Sequence, residues 1–168
     1  MEQFFAMRNA IDLHGALDKA ITLFNMLNIK LCCGVGGTMP HFTIDYSANL
    51  DGQVDFDVLC RVVHKAILET GLFELGAVRV RAIRCEAYAI ADLLAENAFI
   101  DMSFRIGQGR GEEDRRRTGE AIFTAVTAHL GKLFETPHFA LTLEIREIDP
   151  VLSWKKNAIH PRLRKANG

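Results

Sequence analysis

Met39-Pro40-His41-Phe42-Thr43-Ile44-Asp45-Tyr46 is the stretch on which the reading of this chain turns. Phe42, Ile44 and Tyr46 alternate with His41, Thr43 and Asp45, the two-residue period of a strand with one buried face. Proline at the first position of a strand is tolerated, because the missing N–H costs little there. Pro40 has a second property that depends on where the chain starts. Inside a chain its nitrogen is a tertiary amide, with no N–H and no basic lone pair. If translation begins at Met39, the small second residue favours Met removal. Pro40 then becomes a free N-terminal secondary amine, able to serve as a general base.

Downstream of this strand the pattern is regular. Leu59, Val62, Val63, Ala66 and Ile67 recur at helical spacing, and Gly71 follows as a stop. Val78, Val80 and Ala82 alternate with Arg79, Arg81 and Ile83, which reads as a second strand. The order then repeats. Ala98, Ile100, Met102, Phe104 and Ile106 mark a strand. Ile122, Val126, Leu130 and Leu133 mark a helix, with Glu112, Glu113 and Asp114 on its N-terminal side, where the helix dipole favours acids. Phe139, Leu141, Leu143 and Ile145 mark the last strand.

The body is thus β-α-β twice, an α/β (α+β) chain with a four-stranded sheet and two helices on one face. The other face has no cover from this chain, so burial there calls for an oligomer. Two architectures fit the pattern alone. One is a ferredoxin-like sandwich, the other a tautomerase-like fold in which three subunits pack their sheets about an axis.

Upstream, residues 1–38 differ in character from residues 39–168 and read as an N-terminal extension. Leu13, Leu17, Ile21, Phe24 and Leu27 have the spacing of an amphipathic helix, and Cys32-Cys33-Gly34-Val35-Gly36-Gly37-Thr38 ends it. Three readings stand: a start codon assigned too early, a genuine added helix packed on the body, and a targeting peptide. Acidic Glu2, Asp12 and Asp18 argue against the last.

Composition bounds the function. Of 168 residues, 49% are hydrophobic, enough for a packed core, and the formal net charge of −1 argues against a general nucleic-acid binder. Cys32, Cys33, Cys60 and Cys85 form no C-x-x-C pair, which suits reduced thiols of a cytoplasmic protein. No apolar run is long enough for a membrane span. No histidine sits at metal-ligand spacing with a second His or Cys, so no metal is expected.

The basic residues carry the chemistry. Arg79 and Arg81 share one face of a strand, where two guanidinium groups repel unless an anion lies between them. Arg110 follows Gly107-Gln108-Gly109, a turn that can cradle an anion, or serve simply as a strand-to-helix loop. Arg115, Arg116 and Arg117 read as a solvated helix face balanced by nearby acids. His41, beside Pro40, is placed either to orient a substrate or to face solvent.

Several segments together resemble the 5-carboxymethyl-2-hydroxymuconate Δ-isomerases of the tautomerase superfamily. They are Pro40-His41-Phe42, Thr70-Gly71-Leu72-Phe73, Arg79-Val80-Arg81, Ile106-Gly107-Gln108-Gly109-Arg110 and the tail Trp154-Lys155-Lys156-Asn157-Ala158-Ile159-His160. The resemblance runs from Pro40 to the C-terminus, and residues 1–38 have no counterpart in it. It implies a cofactor-free homotrimer acting on a small polycarboxylate in aromatic (homoprotocatechuate) catabolism. It also implies Pro40 as the base, with Arg79 and Arg110 gripping substrate carboxylates, and a C-terminal tail that packs on a neighbouring subunit. The rival reading is a non-catalytic βαββαβ module holding an anionic metabolite, or a degenerate tautomerase.

Overall fold

The computed structural model describes residues 39–166. The helix expected at Leu13–Leu27 and the thiols Cys32 and Cys33 lie outside the described residues. The described residues belong to one compact unit, Gly37–Gly168.

Four strands form one mixed sheet: β1 (His41–Ser47), β2 (Arg79–Cys85), β3 (Ala98–Gly107) and β4 (Phe139–Ile148). Their order is β2-β1-β3-β4. β1 runs parallel to β2 and β3 parallel to β4, while β1 and β3 are antiparallel. Each β-α-β unit therefore closes on itself, as the repeat in the sequence implied, and the two units join back to back through β1 and β3.

Helix α1 (Phe56–Glu69) starts where the Asp55 side chain accepts the N–H of Val58 at 3.0 Å. It stops at Gly71, whose φ of +73° suits a residue without Cβ, and whose N–H bonds the carbonyl of Leu68 at 3.0 Å. Helix α2 (Glu112–His129) carries Glu112, Glu113 and Asp114 in its first turn, as the sequence implied. It ends one residue before Leu130. Leu130 and Leu133, expected in that helix, belong instead to a 3₁₀ turn over Gly131–Glu135 and its entry.

Both helices lie on one face of the sheet, α1 against β2 and α2 against β4, and they also pack on each other. The core between the layers holds Phe42, Ile44, Leu59, Val63, Ile67, Ile100, Met102, Phe104, Ile106, Ile122 and Val126. Cys60 packs at its edge, and burial raises the pKa of its thiol. Gly119 lets α2 close on β4: a Cβ there would sit 3.3 Å from Cδ1 of Ile145.

A third helix, α3 (Ile159–Ala166), was not marked by any apolar period. Its basic sequence Ile-His-Pro-Arg-Leu-Arg-Lys-Ala explains why. No described helix is long and apolar enough to cross a membrane.

Candidate active site

The pairing directions bring four chain segments to one end of the sheet. β1 and β2 begin there, and β3 and β4 end there, because the two units are antiparallel to each other. Pro40, Arg79, the turn after β3 that carries Arg110, and the tail after β4 are thus neighbours by topology. Loop 71–78, which runs from the stop of α1 into β2, arrives at the same end.

Pro40 is buried, and its carbonyl accepts the backbone N–H of Arg79 at 3.3 Å. Arg79 is half-buried, with a long contact of 3.4 Å from Nη1 to the carbonyl of Ala77. Next along β1, His41 stands between Arg79 on β2 and Arg105 on β3, and the same row continues to Arg146 on β4. Burial, then Arg105, Arg79 and Arg81, hold the pKa of His41 below its ordinary value. The end of β1 is therefore a place where positive charge is disfavoured and negative charge is welcome.

Contacts with Gly107, Leu72 and Phe73 orient Arg110. Nη1 donates to the carbonyl of Gly107 at 3.1 Å and Nη2 to the carbonyl of Leu72 at 3.2 Å. The guanidinium carbon lies 4.4 Å from the centroid of the Phe73 ring, a cation–π stack. Phe73 in turn packs on Phe104, and Phe104 on Phe42, with ring centroids 5.4 Å apart in each pair. An aromatic chain thus links the strand that follows Pro40 to the arginine of the Gly-rich turn.

Of the residues singled out from sequence, Pro40, His41 and Arg79 fall in one connected cluster, and Arg110 stands at the same sheet end. Arg81 lies one step further along the open face and is exposed. Arg116 and Arg117 pair with Glu113, Glu120 and Asp114 on the surface of α2, the solvated face expected. Arg115 departs from that run by reaching Glu147 on β4 at 3.4 Å. Arg105 and Phe73 were missed. Arg105 becomes visible only once β3 is set antiparallel to β1, and Phe73 lies in a loop with no periodic signal.

The tail makes contacts within its own chain. Asn157 and His160 fold back on loop 71–78 of their own chain: Nδ2 of Asn157 donates to the carbonyl of Gly76 at 3.1 Å, and Nδ1 of His160 meets Glu74 at 3.1 Å. Trp154, between β4 and α3, is 86% exposed. A separate groove of about 580 Å³ lies between α2 and β4, lined in part by Phe123, Leu143 and Ile145. It contains neither Pro40 nor Arg79 nor Arg110.

Comparison with known proteins bears on this cluster. The family model of 5-carboxymethyl-2-hydroxymuconate isomerase matches residues 40–163. The 5-carboxymethyl-2-hydroxymuconate Delta-isomerase of Escherichia coli is 34% identical over 122 residues, covering 73% of this chain and 97% of the relative. A 5-carboxymethyl-2-hydroxymuconate isomerase from Deinococcus radiodurans R1 superposes with a TM-score of 0.71 at 36% identity, covering 76% of this chain and 96% of that one. The crystal structure of another 5-carboxymethyl-2-hydroxymuconate delta-isomerase gives a TM-score of 0.70 at 32% identity, with 75% and 93% covered. The matched region begins at Pro40, the residue at which the strand pattern and the arginine cluster also begin. From Pro40 onward, this chain belongs to the 5-carboxymethyl-2-hydroxymuconate isomerase family of the tautomerase superfamily and is an isomerase of the tautomerase fold.

Proposed function

We propose that this isomerase moves a proton within 5-carboxymethyl-2-hydroxymuconate-type dienol carboxylates, with Pro40 as its general base once Pro40 is the N-terminus. The observation that carries the reading is the junction of Pro40 with Arg79 at the sheet end that also holds Arg110, in a chain matching the family from residue 40.

A proton shift across a conjugated system needs one group that takes the proton from one position and returns it to another, with a pKa near the working pH. A secondary amine at residue 40 would meet the conditions that depress His41 beside it: burial and nearby guanidinium groups. Both disfavour a protonated amine and leave the lone pair available. The negative charge that develops on the dienolate then needs fixed cations. Arg79 and Arg110 suit this, because guanidinium forks bind carboxylates at two points and keep their charge. His41 would contribute a polar edge beside the base.

Residues 1–38 are, in this reading, an extension absent from the active form, and residues 39–168 are the isomerase domain. The active assembly would be a homotrimer in the cytoplasm, working in aromatic-acid (homoprotocatechuate) catabolism. The open face of the sheet supports assembly, since the described helices α1 and α2 pack on the opposite face.

A second reading follows from the sequence as it stands. With residues 1–38 attached, Pro40 is an amide, and the arginine cluster would bind an anionic metabolite without turning it over. Intact mass of the protein from its native cells and a paired assay separate the two. The form beginning at Pro40 should convert 2-hydroxymuconate or phenylenolpyruvate, and the full chain should not. Equal rates from both forms would remove Pro40 as the base.

A further inference from the structure

The Leu72 carbonyl and the Phe73 ring, both of which orient Arg110, belong to loop 71–78. That loop lies in neither a strand nor a helix, so its position must be fixed by other contacts. Inside, Phe73 is wedged against Phe104. Outside, the loop is held by α3. Both oxygens of the Glu74 carboxylate lie near Nη2 of Arg164, at 3.0 and 2.9 Å. Nδ1 of His160 lies 3.1 Å from the same carboxylate, which can only accept, so Nδ1 carries the hydrogen. Asn157 ties the Gly76 carbonyl at 3.1 Å while its Oδ1 caps α3 through the N–H of Ile159 at 2.8 Å.

Gly76 completes the fit. A Cβ added there would lie 3.1 Å from Nδ1 and 3.2 Å from Cα of His160. The second of these is backbone, so a side chain at this position would require α3 to give way by a few tenths of an ångström.

The Glu74–Arg164 pair is largely exposed. Exposed pairs contribute little to stability. The contacts converge on one loop from partners 81 to 90 residues away in sequence, which makes their consequence positional more than energetic.

We propose that Glu74, clasped by His160 and Arg164, is a positioning residue for Arg110, so that the C-terminal helix sets how tightly the site grips a substrate carboxylate. This rests on the role given to Arg110 above. The clasp sets the position of Arg110 and leaves its charge in place, so its loss weakens the short-range carboxylate grip shared by ground and transition states more than the longer-range attraction to the developing dienolate, and raises KM more than it lowers kcat.

The test uses Glu74→Gln, which removes the charge, and Gly76→Ala, which pushes α3 away and keeps every charge. Each is made in the full chain and in the form beginning at Pro40. Binding of adipate, a saturated dicarboxylate that cannot tautomerise, is measured by calorimetry, and 2-hydroxymuconate turnover is measured alongside. Both variants should weaken adipate binding and raise KM about fivefold, with kcat within about twofold and melting temperature nearly unchanged. In an Arg110→Ala background, Glu74→Gln should have no further effect, and Arg164→Lys should retain most of the wild-type affinity. Unchanged affinity in both variants, or an effect of Glu74→Gln that persists without Arg110, overturns the proposal. If wild type binds adipate without turnover in either form, the isomerase reading falls and the clasp is still read by affinity. If wild type binds nothing, both fall.

Discussion

Asp45 and Asp101 stand directly opposite each other on β1 and β3, on the sheet face turned away from α1 and α2. The Asp101 carboxylate accepts the hydroxyl of Thr142 from β4, while Asp45 has Ile83 as its neighbour on β2. Burial, and then the charge of Asp101, push the pKa of Asp45 above its ordinary value, with Arg81 working against both. Like charges facing across two strands destabilise the pair. Asp45→Asn should therefore stabilise the chain at neutral pH by roughly 0.5 kcal/mol. The sign follows from linkage. A raised pKa means that the native state holds the proton more readily than the unfolded chain, so Asp45 costs stability as pH rises through that window. The gain from Asp45→Asn should accordingly shrink as pH falls below the ordinary carboxylate range. Urea midpoints at neutral and acidic pH check this, and a loss of stability at neutral pH would refute it.

His41 gives the opposite slope. Its pKa lies below 6.5 in the native chain, because it is partly buried and flanked by Arg105, Arg79 and Arg81. Just below pH 6.5 the unfolded chain takes up a proton that the native chain refuses. Stability is then lost on acidification through the window between the ordinary and the native value. His41→Asn should flatten the fall in urea midpoint between neutral pH and pH about 5. An unchanged slope would show that other groups govern acid stability.

Much of this arrangement was legible from residues alone, for a definite reason. Phe42, Ile44, Met102 and Phe104 face a core on one side of each strand, so the two-residue period survives in the sequence. The repeat of strand, helix and strand gave the parallel pairs. Pairing across the middle of the sheet was another matter. Nothing in the order of residues says that Arg105 will lie opposite His41, because that register depends on how the two units meet. The role of Phe73, quoted only within a segment of the resemblance, and of Glu74 and Gly76 went unread for a different reason: a loop has no period, and their partners are Arg110 and a helix at the far end of the chain. The tail residues Asn157 and His160 were noticed, but as a contact between subunits; their grip on the chain's own loop required coordinates.

Phe104 links the core to the candidate site. It is fully buried and packs on both Phe42 and Phe73. Truncating a buried phenylalanine loses transfer energy and leaves a cavity. Phe104→Ala should cost about 3–5 kcal/mol, while Phe104→Leu, which fills much of the space, should cost clearly less. Because Phe73 carries the Arg110 stack, Phe104→Leu should also weaken adipate binding. Denaturation midpoints with calorimetry on the folded Leu variant test both parts. A Leu variant that loses stability and binds adipate normally would uncouple Phe104 from the site.

Pro40 and Arg79 make the sharpest pair, because their two roles predict different kinetic signatures. In the form beginning at residue 40, Pro40→Ala replaces a secondary amine with a primary one and removes the ring that fixes its direction. The fold should stand, since the carbonyl that accepts the Arg79 N–H is retained. A positioned base contributes at least about a hundredfold, so kcat should fall by roughly that factor with little change in KM. Arg79→Ala instead removes a charged grip on the substrate. Hydrogen bonds to charged groups are worth about 1.5–3 kcal/mol, so kcat/KM should drop about 10- to 100-fold. Much of that drop should appear in KM. Arg79→Lys should recover only part of it, since an ammonium cannot hold a carboxylate at two points. Steady-state kinetics on the three variants decides the matter. A Pro40→Ala enzyme with full kcat would leave the arginines as a binding site and require another base.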